Sequence, residues 1–138
     1  MRYMMLMQTD ESAVPAGPPP PEVFEMMGKY NTELVDAGVL LAAEGLAPSA
    51  DGAVITYPEG APLVTDGPFT EAKEIVAGYW ILEVASREEA LEWARRCPLG
   101  GPVRLEVRRI AEMAEFADAA GPELLDAEAT LRRRIATR

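Results

Sequence analysis

The sequence contains no histidine and a single cysteine, Cys97. Without histidine there can be no Ser-His-Asp or Cys-His catalytic arrangement, no histidine-ligated haem and none of the usual zinc sites. A lone cysteine excludes an internal disulfide, and the sequence also lacks a glycine-rich phosphate loop. We therefore expect no haem, zinc or flavin, and any acid–base chemistry must come from Asp, Glu, Lys, Tyr or Cys97.

Basic residues are also scarce, with 13 Lys and Arg against 23 Asp and Glu and a formal net charge of -10. This balance works against binding to a phosphate backbone, so nucleic acid is not an expected partner. The basic run at residues 132–134 closes a helix-like tail, where cations complement the helix dipole. No apolar run approaches the roughly 20 residues of a membrane helix, and residues 1–8 do not read as a secretory signal. We expect a soluble cytoplasmic protein.

The apolar pattern predicts an alternation of strands and helices. Four stretches have the content of main strands, at residues 2–8, 39–46, 75–84 and 103–108. Apolar residues at helical spacing predict a helix over 22–37, and the capping-box residues that begin at Ser86 predict the start of a second helix. Two short strands at 53–57 and 61–65, separated by a Pro- and Gly-containing turn, predict a hairpin.

This order predicts an α+β protein with a ferredoxin-like split βαβ arrangement and an extra hairpin. The first and third main strands, which are apolar on both faces, belong at the centre of such a sheet. Two helices can cover only one face, so we expect a second copy of the chain to cover the other. We place this domain at residues 1–112 and a C-terminal helical extension, broken at Gly121-Pro122, at residues 113–138.

The middle of the chain holds the sharpest turn signal, Asp66-Gly67-Pro68-Phe69. Asp66 has two interpretations. It is either a turn residue that bonds its own backbone, or a carboxylate that faces a cleft. Glu44, at the end of the second strand, is either a solvated strand end or a second carboxylate in the same cleft, where it could raise the pKa of its neighbour. We take Asp66 and Glu44 as the candidate catalytic residues.

Three basic residues are candidate ligand-binding groups. Lys73 follows the turn, and its alternative is a solvated partner for nearby glutamates. Arg104 and Arg108 share the polar face of the last strand and could hold an anionic substrate. Their alternative is the charge that an exposed sheet edge needs in order to resist aggregation.

Taken together, these stretches resemble the YCII-related, DGPF-motif family over roughly residues 1–112. The resemblance rests on the Met-rich first strand, on the segments 38–40 and 44–46, on the central stretch 64–74, and on 78–84, 90–94 and 103–108. It implies a dimeric α+β barrel. Some members carry a His and Asp pair proposed as an active site, and only the Asp66 half of that pair is present here.

The resemblance implies no agreed reaction, so two function classes stay open. The first is a small-molecule binder or cofactor-free enzyme with a carboxylate site in the cleft of a homodimeric barrel. The second is a non-catalytic interaction or regulatory module, because related proteins resemble accessory modules of extracytoplasmic-function sigma factors. A deep cavity lined by Asp66 and Glu44 would favour the first class, and a filled interior with an apolar outer patch the second.

Overall fold

The computed structural model describes residues 1–69 and 74–138, and its centre is a four-stranded antiparallel sheet. The elements are β1 (Arg2–Thr9), α1 (Pro21–Asp36), β2 (Leu40–Gly45), β3 (Ala53–Thr56), β4 (Leu63–Asp66), β5 (Ile75–Glu83), α2 (Arg87–Arg96), β6 (Arg104–Arg109) and α3 (Ala117–Ala136). Short 3₁₀ turns lie at Glu11–Ala13, Ser49–Asp51 and Met113–Phe116.

The strand order β2-β5-β1-β6 confirms the ferredoxin-like α+β fold. The two strands that are apolar on both faces, β1 and β5, lie at the centre and pair along their length. The alternating strand β6 lies at an edge, beside β1. The extra hairpin is present too, but β3 and β4 form a separate two-stranded sheet rather than joining the main one.

Local sequence explains where the helices begin and end. Helix α1 begins at Pro21, whose missing N–H would have had no partner in the first turn. After α1 ends, Gly38 takes a φ of 71°, which glycine adopts without strain. At α2 the Ser86 hydroxyl accepts from the Glu89 N–H at 3.1 Å. The return bond runs from the Ala85 N–H to the Glu89 carboxylate, one residue earlier than a capping box predicts.

Helices α1 and α2 cover one face of the sheet, and the buried core lies between these helices and the sheet. Trp80 on β5 meets Tyr30 on α1 edge-to-face, with ring centroids 6.2 Å apart. The Trp80 indole N–H donates to the side-chain oxygen of Asn31 at 2.9 Å, and the Tyr30 hydroxyl donates to the Trp93 carbonyl at 2.7 Å. The polar atoms of these buried aromatics are therefore satisfied, which fixes how α1 and α2 sit on the sheet.

The other face of the sheet is not covered by these helices. Residues opposite one another in antiparallel strands share a face, so the pairing defines this surface. We call it the open face: Ala42, Glu44, Met4, Leu6, Gln8, Tyr79, Ile81, Arg104, Glu106 and Arg108. Its centre is apolar and half-buried, and none of its members belongs to the buried core. Within one chain, β1 and β5 are thus fully covered on one side only, and the homodimer stays a prediction.

The C-terminal segment is helical and bends where the sequence predicts. Gly121 has φ 75° and ψ 164°, so α3 consists of a short turn followed by a straight segment over 122–136. The segment before α3 contacts the sheet through an ion pair between Glu112 and Arg2, at the start of β1, with an N–O distance of 3.3 Å. No helix among the described residues is long and apolar enough to cross a membrane.

Candidate functional site

The turn at residues 66–69, which we call the corner, is held by a buried serine from elsewhere in the chain. Ser49 donates its hydroxyl proton to the Glu11 carboxylate, and its hydroxyl oxygen accepts from the Phe69 N–H at 3.1 Å. The Ser49 N–H donates to the other oxygen of Glu11 at 2.7 Å. These bonds favour the charged carboxylate and lower the pKa of Glu11. Three distant segments therefore meet at one hydroxyl group.

Gly67 lies so close to the Ser49 turn that no side chain fits there. A Cβ atom on Gly67 would stand 1.7 Å from the Ser49 carbonyl oxygen, well inside van der Waals contact. The Gly67 N–H donates to the Gly52 carbonyl at 2.9 Å, which closes the same contact from the other side. The glycine of the corner thus serves a close backbone approach.

A groove of about 590 Å³ lies beside the corner, and we call it the corner groove. Most of its lining is apolar, and Asp51 and Glu74 are its acidic lining residues. The described lining residues are Leu46, Ala47, Pro48, Ser49, Asp51, Gly52, Ala53, Val54, Phe69, Glu74, Ile75 and Val76. They come from the end of β2, the Ser49 turn, β3, the corner and the start of β5.

Asp66, the first candidate catalytic residue, is the last residue of β4 and lies opposite Ala53. Its side chain is exposed, and within residues 1–69 and 74–138 no hydrogen bond to its carboxylate is present. Asp66 is not among the described residues that line the corner groove. Its role as a turn residue and its role as a catalytic residue both stay predictions.

Glu44, the second candidate, lies on the open face opposite Tyr79. It lines a smaller cavity of about 190 Å³ together with Asn31, Tyr79 and other residues of β2, β5 and α1. Asp66 is not among the described residues around that cavity. As far as the described residues show, Asp66 and Glu44 do not line either of these two cavities together, and their pairing stays a prediction.

The candidate ligand-binding arginines lie on the open face at the edge opposite Glu44. Arg104 pairs with Glu74 at 3.0 Å, and Arg108 approaches Glu106 at 3.7 Å. Three strand intervals separate β6 from β2, or about 14 Å, so these arginines do not reach Glu44 within one chain. Lys73 lies outside the described residues.

Two further groups that could act in acid–base chemistry are held in their neutral forms. Cys97 is buried, and burial raises the pKa of its thiol to about 11. Burial also raises the pKa of Tyr30 above its ordinary value. A thiol with so high a pKa is not a nucleophile near neutral pH, which agrees with the interpretation of Cys97 as a small core residue. Among the described residues, no group of three Cys, Asp or Glu side chains is placed to hold a metal ion.

Glu11 and Ser49 were missed from the sequence, because neither lies in a motif and 38 residues separate them. The only local signal is that Ser49 follows Pro48 in a segment with turn composition. The groove itself is lined by residues 46–54, 69 and 74–76, stretches that meet only in the folded chain. The groove lies beside the corner, and the expectation that a ligand site lies near residues 66–69 stays a prediction.

Comparison with known proteins gives a consistent picture. The chain is 32% identical over 115 residues to an uncharacterised protein of Rhizobium meliloti (strain 1021), an alignment that covers 80% of this chain and 93% of that protein. The family model of the YCII-related domain matches residues 1–114, which contain the whole sheet, the corner and the groove. The chain therefore belongs to the YCII-related domain family.

Proposed function

We propose that this protein binds a small molecule in the corner groove. The molecule has an apolar body and an amino or hydroxyl group. The observation that carries this proposal is the composition of the groove. Its volume falls in the range of about 300–1,000 Å³ typical of ligand pockets. Its walls are formed largely by apolar side chains such as Val54, Phe69 and Ile75. Asp51 and Glu74 supply acceptors for the polar end of a ligand.

Two walls of the groove are held by hydrogen bonds, which favours binding. Phe69, one wall, is held through its own N–H by the Ser49 hydroxyl. The Ser49 turn, a second wall, is fixed by both oxygens of Glu11. A site whose walls are fixed before binding loses less entropy when the ligand enters.

Binding is a better account of this geometry than acid–base catalysis. Catalysis by paired carboxylates requires both groups within reach of one substrate. Among the described residues, neither the corner groove nor the Glu44 cavity is lined by both Asp66 and Glu44. In the corner groove, Glu74 already pairs with Arg104, an arrangement suited to orienting a ligand rather than transferring a proton.

The experiment fills the groove with a large side chain and compares the affinity for a ligand with that of a matched control variant. Ala47 lines the groove, whereas Ala50 is exposed on the neighbouring turn and does not line it. We expect Ala47→Trp to weaken binding of 2-phenylethylamine and tyramine at least tenfold, and Ala50→Trp to leave it unchanged, as measured by NMR titration. Equal affinities of both variants and the wild type would place the ligand elsewhere.

We also propose that the protein is a homodimer whose copies pack through the open face. Its half-buried apolar centre, which includes Leu6 and Tyr79, is flanked by Glu44 on β2 and by Arg104 and Arg108 on β6. A two-fold axis parallel to the strands would place each β2 over the partner's β6. This arrangement buries the apolar centre. It sets Glu44 level with the partner's Glu106, which has the partner's Arg104 and the partner's Arg108 on either side, so the charge that Glu44 meets is positive on balance.

Light scattering tests the homodimer. We expect the wild type to have at least twice the 15.0 kDa chain mass at micromolar concentration, and Leu6→Lys to have half the mass of the wild type, because the substitution buries charge at the centre of the interface. Val35→Lys is the control, since Val35 is an exposed apolar residue on the outer helix α1. A monomeric wild type, or a Leu6→Lys variant with the same mass as the wild type, would contradict the proposal.

The hairpin favours a second candidate function, that of a protein-interaction module. Every residue of β3 and β4 is exposed, and the apolar members include Ile55, Leu63 and Val64. A two-stranded hairpin with both faces exposed has little stability of its own, so a covering partner would stabilise it. A mixed complex with an extracytoplasmic-function sigma factor from the same organism, lost in Ile55→Lys, would favour this candidate over the groove.

A further inference from the structure

The straight part of α3 carries apolar side chains that the chain itself leaves uncovered. Leu124, Leu131 and Ile135 are 61%, 50% and 69% exposed. Their spacing of seven and four residues places them on one stripe of the helix, together with Ala127. A different side of the helix faces the domain, because Leu125 and Ala129 line a cavity of about 320 Å³ with Arg2 and Glu112.

The charges of this segment are divided along its length. Between residues 117 and 131 every charged residue is acidic, and from 132 to 138 every charged residue is arginine. They are Asp118, Glu123, Asp126 and Glu128, followed by Arg132, Arg133, Arg134 and Arg138. The segment is therefore neutral as a whole, and the acidic half of one copy complements the basic half of an inverted copy.

We propose that α3 pairs with the α3 of a second copy of this chain, in antiparallel orientation. One register satisfies both the stripe and the charges. It sets Leu124 against the partner's Ile135, and Ala127 against the partner's Leu131. The two-fold symmetry repeats each contact at the other end of the pair.

The same register pairs the charges at the edge of the stripe. Glu123 and Arg134 lie on the same flank of the helix, near 90° from the stripe. In an antiparallel pair, residues on one flank meet the same flank of the partner, so Glu123 faces the partner's Arg134. On the other flank Glu128 bonds Arg132 of its own helix at 2.8 Å, and both residues line the cavity between α3 and the domain, so they take no part in the pairing.

A parallel pair of α3 helices would bring like charges together. It would set acidic halves together and basic halves together, and both contacts repel. The charge division thus selects both the partner, a second copy, and the orientation. The inference goes beyond the proposed function and does not depend on the sheet-face dimer, because it uses only residues of α3.

Cysteine cross-linking tests the register. In the double variant Leu124→Cys with Ile135→Cys, the new cysteine at 124 of one chain faces the new cysteine at 135 of the other. Their Cα atoms are then separated by the distance of about 4.5–7 Å that a disulfide requires. Leu124→Cys alone leaves its thiols about 16 Å apart along the helix axis. We expect a covalent dimer on mild oxidation of the double variant and at least tenfold less from the single variant. The native Cys97 is buried and does not compete.

Charge reversal in the cross-linking background tests the orientation. Glu123→Arg or Arg134→Glu, added separately, creates two repelling contacts, and we expect each to lower the rate of cross-linking at least fivefold. A mixture of the two variants restores opposite charges at both ends, so we expect the mixed covalent dimer to form preferentially.

Outcomes that overturn the pairing are equally specific. Efficient cross-linking of Leu124→Cys alone would indicate a parallel pair. Absence of a covalent dimer from the double variant, with the helical circular dichroism signal unchanged, would show that the stripe has no partner of this kind. Leu6→Lys changes only the open face. Cross-linking of α3 in the Leu6→Lys background therefore shows whether the α3 contact is lost independently of the contact through the open face.

Discussion

Gly67→Ala is expected to lower the free energy of unfolding by at least about 3 kcal/mol and to weaken ligand binding in the corner groove at least tenfold. The added Cβ would lie 1.7 Å from the carbonyl oxygen and 2.6 Å from the carbonyl carbon of Ser49. Both are backbone atoms of a turn that Glu11 holds in place, so no side-chain rotation relieves the clash. The corner or the Ser49 turn must move, and both form walls of the groove.

Gly52→Ala is the matched control for this substitution. Gly52 faces the same Ser49 carbonyl, but its added Cβ would stand 3.5 Å away, at ordinary van der Waals distance. We expect it to change the unfolding free energy, measured by urea denaturation, by less than about 1 kcal/mol. Similar losses for both variants would mean that the close approach of Gly67 has no special importance.

Ser49→Ala is expected to cost about 2 kcal/mol, the second largest effect. It removes the hydroxyl that bonds both the Glu11 carboxylate and the Phe69 N–H, and Ser49 is only 6% exposed, so water does not readily replace it. Loss of the bond should also let the pKa of Glu11 rise towards its ordinary value, which NMR titration of the Glu11 carboxyl would detect.

Ser12→Ala provides the comparison for that effect. The Ser12 hydroxyl also donates to a carboxylate, that of Asp10, at 2.6 Å, but the bond is exposed. We expect its loss to cost less than about 1 kcal/mol, because water replaces the partner. If Ser12→Ala and Ser49→Ala lowered the free energy of unfolding equally, or if neither lowered it, the corner would not depend on the buried hydroxyl.

The main sheet could be predicted from the sequence because its signals are local. Residues 2–8 and 75–84 are apolar at both parities, and this pattern marks the strands that occupy the centre. The start of α2 follows from Ser86 and Glu89, which lie within one helical turn of each other. The bend of α3 follows from Gly121 and the proline after it. In each case the residues that decide the structure are neighbours in the chain.

The candidate site could be predicted only in part, because it depends on contacts between distant segments. The corner was evident from Asp66-Gly67-Pro68, but its anchor is Ser49, and the anchor of Ser49 is Glu11. No periodicity or motif connects those residues. The pairing of Asp66 with Glu44 was inferred from chemistry, and the structure places the two in different surroundings within a chain.

Chemical-shift mapping of a bound small molecule tests the central claim most directly. The isotopically labelled protein is titrated with 2-phenylethylamine and tyramine while its backbone amide signals are followed. We predict that the largest shifts cluster at residues 46–54 and 74–76, which line the corner groove, and that Ala47→Trp abolishes them. Shifts that centre on Glu44 and Tyr79, or no saturable shifts with any amine or alcohol of this size, would contradict the assignment of the groove as a binding site.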